Sequence, residues 1–126
     1  MSAVQVRQYL AKAEEYAVAA TNELEAERGI AATSLAIHAG INAADAVCGA
    51  RLGRRAAGQQ HDKVLNLLRQ AGEDGGELET HLRRLLPMKT KAEYESDDIP
   101  RATASKAVER AQKCVAIARR VVASRP

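Results

Sequence analysis

Three histidines, His38, His61 and His81, and two adjacent arginines, Arg54 and Arg55, carry the side chains here whose chemistry reaches beyond packing. An imidazole titrates near neutrality and can take or give a proton. A guanidinium stays charged at any working pH and offers a planar fork to phosphate oxygens. Five residues separate Arg55 from His61, and six separate Arg54 from it. An Arg and a His that meet at one phosphate support RNA cleavage without metal: the imidazole handles the proton of the ribose 2′-hydroxyl or of the 5′-oxygen leaving group. The same pattern also suits a structural His61 that caps its helix or is hydrogen-bonded in the core.

His38 belongs to a polar seam, Ser34, His38, Asn42 and Asp45, whose spacings of four, four and three put it on one face of a helix. Two roles are open to such a seam. It can be a buried hydrogen-bond network that fixes helix register, with Asp45 accepting from an arginine of the following loop. Alternatively it lines the groove of Arg55 and His61, with Asp45 orienting the arginine and Asn42 or Ser34 touching the substrate. His81, between Glu79 and Arg83 and off the Leu78/Leu82/Leu85 stripe, is expected on a solvated face.

Other chemistries lack their residues. The chain has no GxxxxGK[ST] or GxGxxG phosphate loop, no HExxH, no Glu with ExxH diiron pattern and no GxSxG. Cys48 and Cys114 stand far apart without metal-ligand spacing, so neither a zinc site nor a disulfide framework is expected, and both should sit reduced in the core. No metal or cofactor is implied. A balance of 19 basic and 16 acidic residues permits an acidic partner without marking a DNA-coating protein. With no Trp, no Phe and three Tyr, a stacking platform for single-stranded bases is not expected.

The elements that must position these residues are helical. The chain's 126 residues suit one domain, 1–126, with a core that needs no staples. Alanine is abundant, and apolar residues recur at three and four positions almost throughout. The expectation is an all-α, single antiparallel bundle of about five helices. The first runs from an N-cap at Ser2 to about Glu27, with Gly29 as its C-cap; the second, from about Ile30 to Leu52, is nearly uncharged and therefore central. A Gly/Arg loop, 53–58, precedes a third helix from about Gln59 to Ala71. Gly72 and Asp74-Gly75-Gly76 read as a turn before a fourth helix, from Leu78 to about Tyr94, kinked or broken at Pro87. Pro100 opens the last helix, which continues to about Ser124. No apolar run approaches the roughly 20 residues that span a bilayer, and Arg7, Lys12, Glu14 and Glu15 interrupt the place of a signal peptide. A soluble cytoplasmic protein is expected.

The order of a long Ala-rich first helix, the small-residue stretch 36–46, the Gly/Arg loop reaching His61 and the segment 89–94 before a final helix resembles the HEPN (higher eukaryotes and prokaryotes nucleotide-binding) domain over nearly the whole chain. The resemblance is closest to small prokaryotic toxin-like members. It implies a helical bundle that pairs as a symmetric homodimer, and a metal-independent endoribonuclease of a toxin-antitoxin or other defence system. The family's signature, Arg, four to six residues, then His, falls on Arg55 and His61, or on Arg54 and His61. Arg55 would then stabilise the phosphate charge and His61 would move the proton. Ala56 follows Arg55 where active members often carry Asn, Asp or His, so a polar helper is missing unless Arg54 or the His38/Asp45 seam substitutes. An antitoxin or nucleotidyltransferase partner is implied, although Lys63 stands where one toxin group has a tyrosine that such a transferase modifies. The alternative within the family is a catalytically inactive dimer that binds nucleotide, RNA or a partner protein.

Overall fold

The computed structural model describes residues 1–56 and 61–124, and within them the chain is all-helical. The six helices are α1 (Ala3–Glu25), α2 (Gly29–Leu52), α3 (His61–Arg69), α4 (Gly72–Leu85), α5 (Met88–Glu93) and α6 (Arg101–Ala123). The expected start of the third helix at Gln59 and the Gly58 end of the Gly/Arg loop lie outside the described residues.

The α2 helix packs on each of the other five, so it is the axis of the bundle. Its small residues make that placement sterically feasible: Ala32, Ala36, Ala39, Ala43, Ala44 and Ala46 are all buried, leaving little amphipathic contrast around the helix. Among the described residues α2 is the one helix long and apolar enough to cross a bilayer, yet most of it is covered by its neighbours in the bundle. Ile30, in its first turn, is exposed. The α1 and α6 helices flank α2, with Val6, Ala13, Ala17 and Ala20 of α1 and Ala104, Ala107, Ala111, Cys114 and Ala118 of α6 buried. Both cysteines are free and buried, and burial pushes each thiol up to about 12.

Ser2 caps α1 as expected. Its hydroxyl accepts from the Gln5 amide at 3.1 Å while the Gln5 side chain accepts from the Ser2 amide at 2.9 Å. The far end of α1 departs from expectation. The left-handed residue there is Glu27 (φ 60°), with the Arg28 amide donating back to the Glu23 carbonyl at 2.9 Å in the Schellman pattern. Gly29 instead opens α2, and it is small because a Cβ there would collide with the Ile99 carbonyl.

The fourth helix also differs. It starts at Gly72 rather than Leu78, and Gly75 lies inside it, pressed so closely on the Leu68 carbonyl and the Ala71 methyl that a side chain has no room. Gly75 lets α3 and α4 approach, whereas Gly72 takes a left-handed conformation (φ 77°) that opens α4 and Gly76 has open space beside it. Pro87 divides the predicted fourth helix in two, forming the N-cap of α5. Glu79 is buried and receives Arg69 from α3 at 2.8 Å, with Arg83 at 3.8 Å. Ion pairs of Asp74 with Arg51 (3.0 Å) and Arg120 (2.6 Å) tie α4 to α2 and α6, and the Arg120 hydrogen bond foremost holds the Asp74 carboxyl below the usual range.

Candidate functional site

Three helices, the α2–α3 loop and the α4–α5 turn converge on a cavity of about 170 Å³. Its lining comprises His38 and Ile41 from α2, Arg55 from the α2–α3 loop, His61 and Val64 from α3, and Leu86 and Lys89 beside the α4–α5 elbow. Each position follows from local folding. Gly53 adopts a left-handed conformation (φ 73°) that ends α2 and turns the chain toward Arg54 and Arg55. Val64, Leu67 and Leu68 bury the inner face of α3, which brings its first residue, His61, to the cavity half-buried.

Arg55 is held from two sides. Its guanidinium lies 3.8 Å from the Asp45 carboxylate, too long for a hydrogen bond, and 5.4 Å from the centroid of the Tyr9 ring. Charge and ring face orient the group while its N–H donors stay available to a ligand. Asp45 is almost fully buried, and that burial pushes its carboxyl up to about 6, against the opposing pull of Arg55 and Lys12. His38 packs against the Tyr16 ring at 5.4 Å between centroids, and its Nε2 lies 3.9 Å from the Glu93 carboxylate.

The expected site residues thus separate into two groups. Arg55, His61 and His38 share the cavity, and Asp45 stands behind Arg55. Asn42 does not line it: its side chain donates to the His38 carbonyl of the same helix at 2.8 Å, a local bond on the seam. Arg54 faces an adjoining groove of about 320 Å³ with Arg55, Lys63 and Asn66, so the two cavities meet at Arg55. Ser34 leaves the group altogether and lines a larger cavity of about 830 Å³ between the α1–α2 turn and the chain before α6. That cavity is a poor phosphate site, because Glu27 and Asp98 line it and its Arg28 is paired with Glu23.

His81 corrects its expectation. It is half-buried, its Nδ1 is enclosed without a hydrogen-bond partner, and burial first, then Lys113 and Arg110, hold its pKa below the usual imidazole value. Four cavity-side residues had no prior role assigned: Tyr9, Lys12 and Tyr16 from α1, and Glu93 from α5. Tyr9 and Tyr16, seven apart on one helical face, are two of the chain's three aromatic residues, and that spacing was the available signal.

No protein-family model matches the chain, and no curated protein matches it. Among the described residues no group of His, Cys, Asp and Glu is arranged to hold a metal ion.

Proposed function

We propose that this protein is a metal-independent endoribonuclease of the HEPN type, acting as a symmetric homodimer in a cytoplasmic toxin-antitoxin or defence system. One observation carries the reading: Arg55 and His61, from separate elements, line one cavity. At about 170 Å³ the cavity is smaller than the roughly 300–1,000 Å³ typical of sites that enclose a whole ligand, so it suits one phosphodiester of a longer chain rather than a free nucleotide.

In the reaction, the ribose 2′-oxygen attacks phosphorus and the bond from phosphorus to the 5′-oxygen breaks, leaving a 2′,3′-cyclic phosphate and a 5′-hydroxyl. His61 takes the 2′-hydroxyl proton or delivers one to the leaving oxygen, work commonly worth about 10²- to 10⁴-fold in rate. Arg55 offsets the charge that gathers on the phosphate oxygens. Asp45 and Tyr9 keep the guanidinium aimed, His38 contacts the bound strand, and Arg54 guides it along the adjoining groove. Asp45 and His38 thereby supply the polar support that Ala56 lacks. The test is incubation of a labelled structured RNA with purified protein in EDTA; fragments ending in 2′,3′-cyclic phosphate are expected, and a strict need for Mg²⁺ overturns the mechanism.

A further inference from the structure

Leu86 and Lys89 line the cavity of Arg55 and His61, whereas Leu85 and Met88, one residue earlier in each case, line a different groove of about 330 Å³ between α4 and α6. Leu85, Met88 and Ala107 give it an apolar floor. Arg84, Lys106 and Arg110 are its cations, Thr103 adds a hydroxyl, and no carboxylate lines it.

These three cations are unlike most other arginines of the bundle. Arg51, Arg69, Arg119 and Arg120 each engage a carboxylate, whereas Arg84, Lys106 and Arg110 have no ion pair or hydrogen bond among the described residues. Lys106 and Arg110 also stand four apart on α6, where like charges face each other and disfavour the helix. An arrangement that places like charges together around an apolar floor suits an anionic ligand with an apolar part. His81, one turn before Arg84 and Leu85, feels the fields of Lys113, Arg110 and Arg84, opposed in part by Glu77.

We propose that the α4–α6 groove binds a single strand of RNA. Successive phosphates meet Arg110 and Lys106, Arg84 closes the groove from α4, and a base or ribose lies over Leu85, Met88 and Ala107. Lys106 and Arg110 are separated along the helix axis by about 6 Å, at about 1.5 Å per residue. That step is comparable to the distance between neighbouring phosphates of an extended strand, which favours a strand over a single phosphate group. The proposal goes beyond the nuclease reading and stands whether or not Arg55 and His61 cut RNA.

The experiment is fluorescence anisotropy of a labelled ten-nucleotide RNA against the full chain carrying His61→Ala, so that cleavage does not intrude. Three phosphate contacts at about −0.7 each contribute about −2 to the slope of log affinity against log salt, to which any contacts at Arg54 and Arg55 add. Arg84→Gln with Arg110→Gln should weaken binding at least tenfold at low salt and flatten the slope by about 1.4. Arg7→Gln, an exposed position on α1, should change it less than twofold. Circular dichroism checks that the double variant folds; if it does not, Lys106→Gln, at an exposed position, should weaken binding about threefold and flatten the slope by about 0.7. Failure of the parent to bind RNA, binding by the folded variants within the range of Arg7→Gln, or equal displacement by a mononucleotide, inorganic phosphate or an oligoglutamate of matched charge would each overturn the proposal.

Discussion

Replacing Asp45 with asparagine should stabilise the protein and weaken the proposed RNA cleavage together. The native carboxyl ionises near 6, against 3.8 for the ordinary group. Between about pH 4 and 6 the native state therefore holds a proton that the unfolded chain has released. Stability falls as pH rises through that window and stays low above it. At 1.36 kcal/mol per tenfold change in acidity, keeping Asp45 ionised in its buried position costs up to about 3 kcal/mol at pH 8. The neutral amide removes that cost with almost no change of shape. For a chain of this length about 1 kcal/mol moves Tm by roughly 4 °C, so Asp45→Asn should raise Tm at pH 8 by about 4–10 °C. At pH 4 the two proteins should melt together. Activity should move the other way, because Arg55 loses the charge 3.8 Å from its guanidinium; a drop of about tenfold is expected. Calorimetric melts across pH 4–8, with cleavage rates on the same samples, make the comparison. A lower Tm for Asp45→Asn at pH 8 would refute the argument and show Asp45 to be a stabilising network residue.

Three further perturbations separate structural from functional residues. Glu27→Gly should raise stability by about 0.5–1 kcal/mol in urea melts, since a non-glycine residue at φ 60° carries backbone strain that glycine lacks. Gly75→Ala should lower it by about 1–3 kcal/mol, because its methyl meets the Leu68 carbonyl where neither backbone has room to shift. His38→Ala should reduce cleavage about tenfold while Tm stays within about 2 °C, as expected for a half-exposed side chain that faces the cavity rather than the core.

Much of this architecture is legible in the sequence because small, uncharged residues admit few placements. The 16 uncharged residues from Gly29 to Ala44 fit only the middle of a bundle, and α2 lies there. The Arg55/His61 juxtaposition was legible as spacing, since a short loop that closes one helix onto the next keeps its ends near one another. Gly72 to Gly76 misled in part: Gly72 does take a left-handed turn conformation (φ 77°), but Gly75 lies inside α4, where close helix packing selects the residue that elsewhere signals a turn. His81 misled through its sequence neighbours: Glu79 and Arg83, two positions away, lie on other sides of the helix, and the turn above and below, Leu78 and Leu85, decides its surroundings. The support given by Tyr9, Lys12 and Tyr16 was hidden because periodicity marks which face of α1 is apolar without saying which residues of α2 its flank will cover.

The central claim is that Arg55 and His61 act together on one phosphodiester, and single-turnover cleavage in EDTA tests it most directly. Arg55→Ala and His61→Ala should each lower the rate of 2′,3′-cyclic phosphate formation by about 10²-fold or more, with Tm close to that of the parent. Cleavage that survives both substitutions, or that appears only when Mg²⁺ is added, would contradict the account.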